Sequence, residues 1–203
     1  ERAIGGNSPH AEDVRLLREQ SQRCRDILAK LSELSTGEPF DRLPLSALIE
    51  EVVAPHRNFG VAIDVALAHD PAPPMGARNP AILYGLGNLL ENAVDFAQDR
   101  VEVTADWSSD DVAVTISDDG PGFAPDIMDR IGEPYVRSTK RRRKNAGSET
   151  TGLGLGFFIA KTLLERSGAT INFENRSYPD RGAVIRVRWE RGDFERPLGF
   201  AAG

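Results

Sequence analysis

Three groups of residues in this chain have the types and spacing to do chemistry. Asn88 and Asn92 stand four apart within Gly87-Asn88-Leu89-Leu90-Glu91-Asn92-Ala93, so on a helix both carboxamides share one face. A carboxamide oxygen is a hard, neutral ligand, suited to Mg2+ already carried by phosphates; the same pair also reads as capping or surface asparagines. Asp118 ends an apolar run and is followed by Asp119-Gly120-Pro121-Gly122. A strand that ends in a carboxylate and turns on glycines puts that carboxylate at a sheet edge beside bare backbone. There it would accept a hydrogen bond from an amino group such as that of adenine, although Asp-Gly and Pro-Gly are also ordinary turn dipeptides. Thr151-Gly152-Leu153-Gly154-Leu155-Gly156 precedes the apolar-periodic Phe157, Phe158, Ile159, Leu163 and Leu164. Glycines at alternate positions opening a helix offer backbone N–H groups and the positive helix end to an anion. A Walker loop is excluded, because no Gly-Lys-Ser/Thr follows, and the acid a dinucleotide fold needs is not evident at its spacing.

The elements that must position these groups follow from periodicity. Val14, Leu17, Ser21, Cys24, Leu28, Leu31 and Ser35 recur at alternating steps of three and four across residues 11–35, a heptad seam that needs a partner helix. Thr36-Gly37-Glu38-Pro39 ends it. Pro44 to about His56 reads as a helix, Val61–Leu67 as a strand, Asp70–Pro74 as a loop, and Asn79–Gln98 as a long helix begun near Pro80. Strands Val101–Trp107 and Val112–Ser117 flank a polar turn. A helix over Leu155–Ser167 and strands Thr170–Asn175 and Ala183–Trp189 close the pattern. Helices interleaved with hairpin-connected strands predict a two-layer α/β sandwich with helices on one sheet face. Residues 1–10 read as a loop or disordered arm, and the stretch after Arg191 shows no pattern.

Composition narrows the classes. With 40% hydrophobic and 28% charged residues in 203, the chain holds one medium domain plus something smaller. A net charge of −6 gives no electrostatic case for nucleic acid. The local exception is Lys140-Arg141-Arg142-Arg143-Lys144, a solvated loop or an anion contact. No apolar run approaches the about 18 residues that span a bilayer. The start at Glu1 without Met leads us to expect a fragment. The single cysteine, Cys24, excludes an internal disulfide, suits a reducing compartment and leaves an intermolecular bridge open.

In order and spacing, these motifs resemble the N box, the two glycine boxes and the intervening lid of the histidine-kinase branch of the GHKL ATPase superfamily. The resemblance covers residues 40–190. It includes Ile131-Gly132-Glu133-Pro134-Tyr135-Val136-Arg137, similar to the F box, and Gly182-Ala183-Val184, similar to the last glycine turn. It implies the Bergerat fold, a mixed and mostly antiparallel sheet covered by helices on one face, with ATP and Mg2+ as cofactors. Asn92 would be the Mg2+ ligand and Asn88 a nearby polar contact. Asp118 would recognise adenine between Gly120 and Gly122. Thr151, Gly152, Leu153, Gly154, Leu155 and Gly156 would line the phosphates. Residues 138–150 would form the lid, with Tyr135, Arg137, Lys140, Arg141, Arg142 and Arg143 counted among the ATP contacts. Superfamily members that hydrolyse ATP place a glutamate where this chain has Asn88. An amide cannot take a proton, which suits transfer to another group. The chain departs from many histidine kinases in carrying Asp95 in place of a phosphate-contacting lysine, so the lid cations would have to supply that charge.

The helix from Asp13 to Leu28, with Arg23-Cys24-Arg25 before Ile27-Leu28, resembles the second dimerisation helix of the RegB/PrrB/ActS redox-responsive kinases, as does Asn92-Ala93-Val94-Asp95-Phe96-Ala97. That resemblance implies a redox role for Cys24; a small apolar filler in the seam remains the alternative. The implied boundaries are 1–10 arm, 11–36 dimerisation helix, 37–192 catalytic domain and 193–203 tail. The implied partners are a second copy of the chain and a response-regulator receiver domain, with no direct nucleic acid. The implied location is the cytoplasmic portion of an inner-membrane bacterial sensor, joined to the membrane through a region that precedes this chain. The family's acceptor histidine lies in a His-Glu-Leu-Gly-Thr-Pro-type motif that is absent here. His10, His56 and His69 sit in unrelated contexts, so autophosphorylation by this chain alone is not expected. Two rivals are a degenerate kinase domain that serves as a redox-gated docking module, and a gyrase-like ATPase.

Overall fold

The structure is a computed structural model that describes residues 42–68, 72–134 and 156–196. In chain order these form β1 (Arg42–Pro44), α1 (Leu45–Val53), β2 (Ala62–Leu67), β3 (Met75–Ala77), α2 (Pro80–Phe96), β4 (Arg100–Trp107), β5 (Asp111–Asp118), α3 (Gly156–Arg166), β6 (Thr170–Asn175), β7 (Ala183–Glu190) and the short α4 (Arg191–Phe194). Five strands make one sheet in the order β2-β4-β5-β7-β6. β2 runs parallel to β4, and every other neighbour is antiparallel. β1 and β3 form a separate antiparallel ribbon.

Alternation sets the two faces. Val101, Val103 and Ala105 on β4, Val112, Val114 and Ile116 on β5, and Ile185, Val187 and Trp189 on β7 are all buried. They share one core with Leu45, Leu48, Ile49 and Val53 of α1, Leu86, Leu89 and Leu90 of α2, and Leu164 of α3. The opposite face carries Glu102, Thr104, Thr115, Ser117, Arg186 and Arg188, as the period of two requires. Ion pairs cross it at Arg100–Asp64 (2.6 Å) and Arg188–Asp111 (2.6 Å). At such exposure each contributes only about 0–1 kcal/mol. The burial of the other face therefore holds the sheet to the helices. This is the two-layer α/β sandwich expected from the pattern.

α2 starts where Asn79 and Pro80 dictate. The Asn79 side chain accepts from the Ala81 N–H (2.9 Å), and Pro80 occupies the first turn, where no amide donor is needed. Two glycines in α2 answer to different neighbours. A Cβ on Gly85 would lie 2.5 Å from Leu164 Cγ, so the absent side chain lets α3 pack close; a Cβ on Gly87 would meet nothing within 4 Å. Gly87→Ala is therefore expected to raise stability by about 0.5–1 kcal/mol, and Gly85→Ala to lower it by about 1–3 kcal/mol. Urea unfolding midpoints moving in the same direction would contradict this packing.

The chain folds beyond the last strand read from the sequence. Phe194 is buried, stacks edge-on against fully buried Trp189 with centroids 5.6 Å apart, and presses on Gly76 of β3. The Trp189 indole N–H donates to Ser167 Oγ (3.0 Å), which satisfies its one polar atom at the end of α3. The ribbon of β1 and β3, and the 3-10 turn at Met128–Arg130, are likewise additions to the sequence reading. Among the described residues no helix is long and apolar enough to cross a membrane.

Candidate functional site

Asp118 is the last residue of β5 and, at 4% exposure, the only charged side chain in the core of the described residues. The β5–β7 ladder ends one residue earlier, at Ser117 opposite Val184. Beyond that point the side chain replaces the backbone. Asp118 Oδ1 accepts from the Gly120 N–H (2.8 Å) and the Ala183 N–H (3.2 Å). Two glycines keep the surroundings bare. A Cβ on Gly182 would fall 1.8 Å from the Asp118 carbonyl oxygen, and one on Gly120 would fall 2.2 Å from the Phe96 carbonyl oxygen. Burial pushes the Asp118 carboxyl above its ordinary range, and the nearby Asp119 pushes the same way; the Gly120 and Ala183 donors and Arg176 only partly offset this. Among the described residues no donor reaches Oδ2. A buried carboxylate oxygen left so is costly, and a ligand amino group is the kind of donor that would satisfy it.

Asp119 does a different job. Its carboxylate accepts from three consecutive backbone N–H groups, Gln98 (2.7 Å), Asp99 (3.1 Å) and Arg100 (3.1 Å). Its partial burial would raise its pKa, but these three donors and its own backbone N–H together outweigh that and hold the group below the usual carboxylate range. The bond to this turn, just after α2, fixes the end of that helix against the end of β5. The element carrying Asn92 and the one carrying Asp118 are thereby tied together.

Asn88 and Asn92 are both half-buried on α2. The Asn88 side-chain N–H donates to Tyr84 O (2.9 Å), and that of Asn92 donates to Asn88 O (2.6 Å). A carbonyl can only accept, so the nitrogen of each amide must be the atom facing the helix. Each Oδ1 is left as an acceptor with no protein donor among the described residues. A Cβ on Gly156, the first residue of α3, would lie 3.5 Å from Asn92 Nδ2 and 3.8 Å from Asn88 Oδ1. The sequence pair and the positive end of α3 thus face each other across bare backbone. An anion at that helix end, with a divalent cation on it, would meet neutral oxygen ligands from α2.

Three aromatic rings join the two sides. Phe123 follows the glycine turn, Phe157 opens α3 and Phe173 lies on β6, and their centroids stand 5.7–6.0 Å apart, edge to face. Each such pair adds about 0.5–1.5 kcal/mol beyond area burial, which anchors the start of α3 beside the turn after Asp118. Ile131 is buried, and a Cβ on Gly132 would lie 2.6 Å from Lys161 Cδ, so the first part of the Ile131–Arg137 stretch also packs on α3.

The structure brings together Asn88, Asn92 and Gly156, and separately Asp118, Gly120 and Gly122. Tyr135, Arg137, Lys140, Arg141, Arg142, Arg143, Thr151, Gly152, Leu153, Gly154 and Leu155 lie outside the described residues, as do Cys24 and the heptad helix. The sequence reading did not single out Asp119, Asn175 or Arg176. The doubled carboxylate before Gly120 was the available signal for the first.

Residues 79–193 match the family described as histidine kinase-, DNA gyrase B- and HSP90-like ATPases. The chain belongs to this ATPase family. Asn88, Asn92, Asp118 and Gly182 all fall inside the matched region. Within the family, the chain is 40% identical over 195 residues to sensor histidine kinase RegB of Cereibacter sphaeroides, an alignment that covers 88% of this chain and 42% of that one. It is 26% identical over 130 residues to sensor histidine kinase CpxA of Escherichia coli, covering 64% of this chain and 27% of CpxA. The chain thus spans less than half the length of these relatives. Among solved structures, mycobacterial sensor histidine kinase MprB superposes with a TM-score of 0.61 at 20% identity, covering 78% of this chain and 100% of that one. Full-length ShkA in complex with AMPPNP gives 0.59 at 22% identity, covering 90% and 39%. At these identities the likeness shows the ATPase-family fold alone.

Proposed function

We propose that this chain is the ATP-binding catalytic part of a two-component sensor histidine kinase. It would transfer the γ-phosphate of Mg-ATP to a histidine outside the chain, from which a response regulator would receive it. The observation that carries the proposal is the buried Asp118 carboxylate. Its Oδ1 is taken by two backbone donors, and its Oδ2 is left for a ligand amino group beside the bare backbone of Gly120 and Gly182. Adenine offers that donor on a flat ring.

On this reading Asp118 fixes the base, with Gly120 and Gly122 shaping its pocket, and Asn92 offers its amide oxygen as the protein ligand to Mg2+, with Asn88 as the neighbouring polar contact. Bound Mg2+ would supply neutralising charge on the phosphates. The N-terminus of α3 at Gly156, with Thr151, Gly152, Leu153, Gly154 and Leu155 before it, receives the phosphates. Tyr135, Arg137, Lys140, Arg141, Arg142 and Arg143 close over them. Asn88 cannot accept a proton from water, which favours transfer over hydrolysis. Residues 11–36 would be the second dimerisation helix, with the parent protein a homodimer and Cys24 its redox-sensitive thiol. The catalytic unit would begin near residue 37 and, with Phe194 in the core, extend to at least Arg196. In the parent protein this part would lie on the cytoplasmic side of the inner membrane.

Calorimetric titration of the chain with ADP or a non-hydrolysable ATP analogue tests the reading directly. Binding on the order of micromolar, tightened by Mg2+ and without steady-state ATP hydrolysis, is the expected result. Absence of Mg-dependent nucleotide binding would overturn it and leave a docking module in its place.

A further inference from the structure

At the end of β6, two consecutive side chains reach in opposite directions, and both grip the backbone around Asp118. Asn175 Oδ1 accepts from the Phe123 N–H (2.7 Å), while its Nδ2 donates to the Phe123 carbonyl (3.0 Å). One side-chain amide thus pairs with both backbone groups of one residue, as a neighbouring strand would. The fit leaves no room for a side chain at Gly122, where a Cβ would lie 2.5 Å from Asn175 Oδ1. Arg176 Nε donates to the Asp118 carbonyl oxygen (3.1 Å), and its Nη2 donates to Ser117 Oγ (2.9 Å) and Glu102 Oε2 (2.5 Å). The Arg176 backbone N–H donates to Gly182 O (3.0 Å), which closes the turn that presses Gly182 on Asp118.

These contacts stand where the sheet stops supplying its own. β5 and β7 part after Ser117 and Val184, and the next β7 donor, the Ala183 N–H, has been diverted to the Asp118 side chain. The Asp118 carbonyl would lack a partner there, and the Arg176 guanidinium provides one. Arg176 is itself held from the open sheet face. Glu102 pairs with it and with Arg100 (3.1 Å), and Arg100 pairs in turn with Asp64 on the edge strand. The planar guanidinium fork can serve three acceptors at fixed angles, which a lysine cannot do.

We infer that Asn175 and Arg176 are positioning residues for base recognition. They hold the two ends of the Asp118–Phe123 turn, so that the Asp118 carboxylate is aimed at the amino group of an adenine ring. The inference rests on the nucleotide-site reading above and adds to it the residues that set base specificity. Neither side chain need touch the nucleotide.

The test compares ADP with IDP, which lacks the amino donor, on the chain and on Arg176→Met and Asn175→Ala. The unmodified chain should prefer ADP. In each variant, ADP affinity should fall about tenfold while IDP affinity changes less than about twofold, so that the preference collapses. A variant that merely loosens the fold would weaken both nucleotides in parallel, and that outcome, or no change in either, would overturn the inference. Glu102→Gln, remote from the pocket, keeps an acceptor but removes the charge holding Arg176. It should show a smaller loss of preference in the same direction, and it stands in if Arg176→Met does not fold; an unaltered preference in it then counts against the positioning role. If the unmodified chain binds neither nucleotide, the nucleotide-site reading itself fails, a result distinct from binding with a preference that the variants retain.

Discussion

Asp118→Asn is expected to weaken binding of adenine nucleotides by about 1–3 kcal/mol, roughly 5- to 150-fold, while the unfolding temperature of the free chain stays level or rises. The geometry leaves the amide one tolerable orientation. Its oxygen must keep the place of Oδ1, which accepts from the Gly120 and Ala183 N–H groups. The nitrogen then occupies the place of Oδ2 and presents a donor to the donor on adenine. The opposite rotamer would set the nitrogen against two backbone N–H groups and is worse. Stability should move the other way because burial is the largest influence on Asp118 and penalises its charged form. A carboxyl whose folded pKa is raised contributes stability below its unfolded value, near 3.8, and that contribution is lost as pH rises through the folded value. At neutral pH the charged group therefore costs stability, and a neutral amide does not incur that cost. The same sign predicts that nucleotide affinity of the unmodified chain falls on acidification, starting above the range of an ordinary aspartate, whereas the variant lacks this component. Calorimetry at several pH values together with thermal unfolding reads all three effects. Unchanged ADP affinity in the variant would remove Asp118 from the site.

What the sequence disclosed, and what it hid, follows from the range of each interaction. The core faces of β4, β5 and β7 were legible because Val101, Val103 and Ala105, and their counterparts, alternate with polar residues, and one face of the sheet is covered. The start of α2 was legible because Asn79 and Pro80 act on the next turn of the same helix. Asp118 was legible because its strand and its glycine turn are adjacent in sequence. Arg176 was not, since its partners Ser117, Asp118 and Glu102 lie 58 to 74 residues away and nothing local marks the meeting. The same holds for Asn175, which holds Phe123 across 52 residues. β1 and β3 are three residues each, too short to show a period. Phe194 stands alone among charged neighbours, so its packing on Trp189 could not be read from pattern.

Gly182→Ala tests how closely the last glycine turn and the Asp118 strand end depend on one another, and it is expected to lower stability by about 2–6 kcal/mol. Two costs add. The residue sits at φ +128°, where an L side chain is strained by about 1–3 kcal/mol. The new Cβ would also lie 1.8 Å from the Asp118 carbonyl oxygen, 2.6 Å from its carbon and 3.2 Å from the Asp119 nitrogen. All three are backbone atoms, so no rotamer change relieves the clash, and overpacking of this kind costs about 1–3 kcal/mol or more. Relief requires the start of β7 to move off β5, which breaks the Ala183 N–H bond to Asp118 and the Arg176 N–H bond to Gly182. Nucleotide affinity should therefore fall along with stability, and the unfolding temperature should drop on the order of 10 °C. Gly60→Ala separates the two costs. Gly60 has φ +75°, but its Cβ would meet nothing within 4 Å, so the backbone cost alone, about 1–2 kcal/mol, is expected there. If Gly182→Ala proves no more harmful than Gly60→Ala, the strand end has room to spare, and the tight approach of Gly182 does not shape the site.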